Sequence, residues 1–152
     1  MNEKFSAAVS AVPHLFKTLS TSPYFTVKGI AAQKGKSGVY AFFENDVAAH
    51  VGRTRNLQGR LRGHITRNHY SASYAFKRAR RELGLVATYV TKGSRPELAK
   101  DLVFQECFYR HVAIVKTMNV RFIEVPNPIE QYLLELYAHM EYGLPLDEFD
   151  TH

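Results

Sequence analysis

The apolar positions of this chain fall into short runs and helical stripes. Gly38 to Phe43 and Ala48 to Gly52 are two short runs around the turn-forming Glu44-Asn45-Asp46, a pattern that predicts a β-hairpin. Asn56 can then cap a helix running to about Thr66, with Leu57, Leu61 and Ile65 on one stripe and Arg60, His64 and Arg67 on the adjacent one. The first stripe is expected to bury and the second to meet a substrate. A helix from about Ser73 to Leu83 would turn Phe76, Ala79 and Leu83 inward and Lys77, Arg78, Arg80 and Arg81 outward, with Gly84 as its stop. Pro96 to about Val115 predicts a further helix, Val120 to Val125 a third strand, and Val86 to Thr91 either a strand or an irregular link. The last helix is the best marked, with Asn127 as cap, Pro128 in first position and Glu130 three residues after the cap. Its expected buried stripe is Ile129, Tyr132, Leu133, Leu136 and Met140, with Glu135 at the edge. Ahead of the hairpin, residues 1 to 36 form an extension, with a helix expected around Lys4 to Ala11, disturbed at Pro13, and an irregular or extended stretch through Tyr24 to Val27. The whole reads as α+β: a small three-stranded sheet packed by helices.

Length allows one domain of 152 residues with an ordinary core. Cys107 is the only cysteine, which excludes an internal disulfide and a zinc site built from a cysteine cluster, and points to a reducing, cytoplasmic setting. Met1 to Leu19 contains Glu3 and no uninterrupted apolar stretch of signal or membrane-span length, so no membrane association is expected. Gly35-Lys36-Ser37 ends like a nucleotide-binding loop, but five residues rather than four separate Gly29 from Gly35, and a strand is expected next.

The net charge of +6 is unevenly spread. Between Val47 and Arg81 there is no Asp or Glu, while Arg53, Arg55, Arg60, Arg62, Arg67, Lys77, Arg78, Arg80 and Arg81 lie there; after Arg121 all charged side chains are acidic. A basic block carrying histidines and aromatics suits a phosphate backbone, and a solvated basic surface would account for the same composition.

Gly38-Val39-Tyr40, His50-Val51-Gly52, Arg60 one helix later and His64 a turn beyond it resemble, in order and spacing, the signature of the GIY-YIG endonucleases. The resemblance runs from about Ser37 to Asp147. It implies an α+β fold, a small three-stranded antiparallel sheet flanked by helices, with residues 1–36 an N-terminal extension, 37–147 the nuclease core and about 71–115 a helical insertion. It implies a metal-dependent hydrolase cutting DNA to leave a 5′-phosphate and a 3′-hydroxyl, with Mg²⁺ or Mn²⁺ as cofactor.

By that resemblance Tyr40 binds or deprotonates the attacking water. His50 stands where relatives carry a second tyrosine, and its imidazole can also accept a proton near neutral pH, so the base is either of the two. Arg60 matches the family arginine that clamps phosphate oxygens, and His64 takes a phosphate-contact or proton-transfer position. Glu135 matches the metal-binding glutamate, a single hard carboxylate that Mg²⁺ can complete with waters and substrate oxygens. His139, one turn on, would hydrogen-bond Glu135 or a metal-bound water, or form an i,i+4 surface pair. Asp147 stands where relatives often have Asn. Tyr40, His50, Arg60, His64 and Glu135 are expected to converge on one open cleft, and Arg53, Arg55, Arg62, Arg67, Lys77, Arg78 and Arg81 to bind nucleic acid. A nucleic-acid-binding module of the same fold that does not cut is the competing reading, and RNA competes with DNA as ligand.

Overall fold

Strand β1 (Gly38–Glu44) and strand β2 (Val47–Thr54) pair antiparallel about a two-residue loop, Asn45-Asp46. Both loop residues have positive φ, 51° and 62°, the backbone of a type I′ turn, which Asn and Asp tolerate better than most residues. Strand β3 (Asn119–Glu124) pairs antiparallel with the other side of β1, so β1 is central and β2 is an edge. The protein is therefore α+β, with a small three-stranded antiparallel sheet flanked by helices. This computed structural model describes residues 1–88 and 90–149, with residues 148 and 149 described by backbone alone. No helix among them is long and apolar enough to cross a membrane.

The chain divides into two compact units, one of Met1–Gln58 together with the chain from Met118 onward, the other Gly59–Thr117. In the first, the sheet packs against α1 (Glu3–Thr21) and α6 (Pro128–Glu141). Alternation along β1 sends Val39, Ala41 and Phe43 to one face, where they join Val51 of β2, Val12 and Leu19 of α1, and Leu134 and Ala138 of α6 in the core. Tyr40 and Phe42 project from the other face.

Two expectations for this unit are corrected. The first helix does not stop near Ala11 but continues through Pro13 to Thr21. Proline removes one backbone donor, yet Pro13 lies on the exposed side, while Val12 and Leu19 bury one on each side of it, and burial of that face outweighs the lost bond. On α6 the buried residues are Gln131, Leu134, Ala138 and His139, whereas Ile129, Tyr132, Leu136 and Met140 of the expected stripe are exposed. The helix is turned so that a glutamine faces inward. Gln131 Nε2 donates to the carbonyl of Val125 at 2.6 Å and to Ser37 Oγ at 3.1 Å, which removes the penalty for burying an amide.

In the second unit α3 (Ser73–Glu82) packs on α5 (Leu102–Thr117), with Phe76 against Phe104 and Phe108 at ring-centroid distances of 4.7 and 5.7 Å. Gly84 follows α3 with φ of 66°, the left-handed residue that ends the helix. Leu83, expected inside, is exposed, and Tyr74 and Ala75 are buried instead. The helix expected over Pro96 to Val115 is two: α4 (Arg95–Leu98), then α5, restarted where Asp101 Oδ1 accepts from the backbone N–H of Phe104 at 2.8 Å. Residues 85–88 are irregular, and Tyr89 lies outside the described residues.

Glu82, at the end of α3, ties the two helices together. Its carboxylate accepts from Arg110 at 2.9 Å, Cys107 Sγ at 2.8 Å and His111 Nε2 at 2.8 Å. Hydrogen bonds from Arg110, then Cys107 and His111, lower its pKa from 4.5 to about 2. A carboxyl depressed on folding contributes stability that is complete above its unfolded pKa and lost as pH falls through the folded one. The Glu82→Gln protein is expected to lack this increment above about pH 4.5 and to show a flatter loss of stability between pH 4.5 and 2, read by circular dichroism across an acid titration.

Candidate functional site

Tyr40 and Gly52 face each other across β1 and β2, as do Phe42 and His50. Partners in an antiparallel register share a face, so Tyr40 and His50 lie together, with ring centroids 6.1 Å apart and Phe42 stacked on His50 at 6.0 Å. The Tyr40 ring is laid across the edge strand. A Cβ on Gly52 would stand 2.5 Å from Tyr40 Cζ and collide with the hydroxyl, so the glycine is the space into which the phenol fits. Tyr40 is 1% exposed and thus lies under the surface rather than in an open cleft.

Arg53 and Glu135 occupy the opposite face of the sheet. Arg53 is in register with Val39, and from there its Nε reaches Glu135 Oε2 at 3.2 Å while its guanidinium lies 3.6 Å from the Tyr132 ring centroid. Tyr132 and Glu135 are one helical turn apart on α6, so one arginine covers both. Burial raises the Glu135 pKa, and the charges of Arg53 and His139 pull it back. The expected single cleft is corrected here for the first unit: strand alternation puts Tyr40 and His50 on one face, and α6 presents Glu135 on the other. What the two groups share is the Gly52-Arg53 end of the edge strand, with the phenol on one side and the ion pair on the other.

His139 is buried, not part of a surface pair, and its Nδ1 lies 3.1 Å from the backbone carbonyl of Glu135. Asp147 is exposed on a short 3₁₀ turn, Leu146–Phe149. Glu135 fits a hard divalent cation as one oxygen donor whose remaining shell would be water and phosphate oxygens, provided Arg53 yields its place on the carboxylate.

Helix α2 (Leu57–His64) follows β2, and its residues from Gly59 onward, Arg60 and His64 among them, belong to the second unit. The guanidinium of Arg60 donates through Nη1 to the carbonyl of Ser71 and through Nη2 to Ser73 Oγ, both at 2.9 Å. These bonds use two of the five donors that a guanidinium carries and fasten the following loop over the end of the helix. His64 is fully buried, against the expectation that its stripe meets a substrate. Gly63 lies close to the same loop: a Cβ there would stand 3.4 Å from Ser71 Cβ.

Of the other basic residues, Arg55, Arg62, Arg67 and Arg81 are exposed, and Arg67 stacks on Tyr109 at 4.4 Å. Arg78 does not point outward as expected: its Nε donates to His111 Nδ1 at 3.1 Å and its Nη1 to the Tyr74 hydroxyl at 3.2 Å. Lys77 is half-buried.

The residues that sequence reasoning passed over are Glu82, Cys107 and His111, whose potential ligand atoms lie within 4.8 Å of one another, the one such group of three among the described residues. Their one local signal in the sequence is the i,i+4 spacing of Cys107 and His111. No family model matches the chain, no curated protein is significantly similar to it, and no solved structure matches it.

Proposed function

We propose that this protein is a metal-dependent endonuclease of the GIY-YIG type that hydrolyses DNA phosphodiester bonds. The observation that carries the reading is the Tyr40 ring laid across Gly52, with His50 beside it on the same sheet face, because a motif glycine that exists to seat a motif tyrosine gives the spacing of the two strands a chemical purpose. Tyr40 or His50 takes the proton of the attacking water, and Arg60 neutralises charge on the phosphate. Glu135 holds the cation, Mg²⁺ or Mn²⁺, whose charge polarises the phosphate and activates water when bound. Arg55, Arg62, Arg67 and Arg81, all exposed, supply the positive charge that a nucleic-acid backbone requires.

A second reading has its own support. Tyr40 and His64 are buried, Arg60 is engaged with Ser71 and Ser73, and Arg53 covers Glu135, which together suit a module that grips DNA or RNA through its exposed arginines without cutting it.

Nicking of supercoiled plasmid in Mg²⁺ or Mn²⁺ separates the two. Cleavage by the wild-type protein, lost in Arg60→Ala, is the expected result. Removing a guanidinium that makes two hydrogen bonds costs about 1–3 kcal/mol of stability, so Arg60→Lys is assayed beside it, with circular dichroism to confirm folding. Binding without nicking, with affinity falling by about 0.9 log units per log unit of salt for each phosphate neutralised, would favour the module.

A further inference from the structure

The cluster of Glu82, Cys107 and His111 lies in the second unit and takes no part in the proposed hydrolysis. Cys107 and His111 are one turn apart on α5, and both are buried. Glu82 comes from the end of α3 and is exposed, leaving an approach from solvent. Both Cys107 Sγ and His111 Nε2 lie 2.8 Å from the same oxygen, Glu82 Oε2. Because Arg78 Nε donates to His111 Nδ1, the proton of the neutral ring sits on Nε2, so thiol and imidazole each direct a proton at that one carboxylate oxygen. Two protons and three donor atoms thus occupy the volume that a small cation would fill.

We propose that Glu82, Cys107 and His111 bind a thiophilic divalent cation of the Zn²⁺ class. One sulfur, one imidazole nitrogen and one carboxylate oxygen make a donor set that Zn²⁺ accepts in tetrahedral geometry with water in the fourth position, whereas Mg²⁺ takes oxygen donors. Arg110 Nη1 donates to both carboxylate oxygens, Oε1 at 2.9 Å and Oε2 at 3.1 Å; it orients the carboxylate, and a metal on Oε2 leaves it the bond to Oε1. Binding releases one proton, from the thiol; the imidazole stays neutral by carrying its proton on Nδ1, and Arg78 must leave that atom. The hydrogen bond from Arg78 to His111 therefore competes with the metal, and Arg78→Ala should bind the cation more tightly than wild type.

The test is titration of the untagged, reduced, full-length protein with Co²⁺. The expected result is one ion per chain, with thiolate-to-cobalt charge-transfer absorption and the visible bands of four-coordinate cobalt, reversed by Zn²⁺. Cys107→Ser should abolish the charge-transfer band, and His111→Ala should weaken binding by at least about tenfold. Equimolar Zn²⁺ should also protect the Cys107 thiol of the wild-type protein from alkylation, a readout independent of whether either variant folds. Absence of the band together with unprotected alkylation would overturn the proposal, as would a Cys107→Ser protein that folds and still binds Zn²⁺ with wild-type affinity.

Discussion

Gly38→Ala is expected to be the most destabilising single-methyl change in the sheet, lowering stability by roughly 3 kcal/mol and the melting temperature by about 10 °C. The added Cβ would collide with the carbonyl oxygen of Ile123 and stand 2.8 Å from the backbone nitrogen of Val125. Both obstacles are main chain. Gly38 pairs with Thr54 on one side and Glu124 on the other, so β1 cannot shift away from β3 without straining its pairing with β2. Gly52→Ala provides the internal control. Its added Cβ meets the far end of the Tyr40 side chain, which can swing aside, so this variant should remain folded with the phenol displaced. Thermal melts followed by circular dichroism would rank the two. If Gly38→Ala melts within a degree or two of wild type, the close approach of β3 to β1 is misjudged. Gly52→Ala carries a second expectation under the nuclease reading: a loss of cleavage out of proportion to its loss of stability.

The features legible in the sequence are those with local causes. Asn45 and Asp46 specify the hairpin turn because they tolerate positive φ, Gly84 stops α3 for the same reason, and Asn127 with Pro128 starts α6. Strand alternation then puts Tyr40, Gly52 and His50 on one face without any knowledge of the helices. What escaped prediction depends on distant partners. Pro13 argues against a long helix until Val12 and Leu19 are seen to bury against the sheet and α6. A stripe of Ile129, Tyr132, Leu136 and Met140 argues for one buried face of α6 until Gln131 finds Ser37, 94 residues away. The ion pair of Arg53 with Glu135 and the approach of Glu82 to Cys107 and His111 each join separate elements, and no spacing in the chain announces either junction.

Under the nuclease reading, Glu135→Gln is expected to lower cleavage by on the order of 100-fold or more while leaving the fold intact. The substitution keeps the shape of the side chain and removes the charge that the cation needs. It also removes half of the ion pair with Arg53, but the guanidinium keeps its place over Tyr132, and a partly exposed pair of this kind contributes about 1 kcal/mol or less. Arg53 makes the prediction sharper than a single mutant could. On the same reading its guanidinium would compete with a cation for Glu135, so Arg53→Ala should bind Mn²⁺ more tightly in the absence of DNA, whereas Glu135→Gln should bind it more weakly. The two variants move cation affinity in opposite directions, and a general loss of folding would not do that. Electron paramagnetic resonance of free Mn²⁺, titrated with each protein, measures the affinities, and plasmid nicking measures the rates. If Glu135→Gln cuts DNA at the wild-type rate, Glu135 is not the metal ligand and the GIY-YIG mechanism fails on this chain. If instead neither the wild-type protein nor Arg53→Ala binds Mn²⁺ or nicks DNA, the pair is a structural clasp between β2 and α6, and the basic surface is left as the functional part of the molecule.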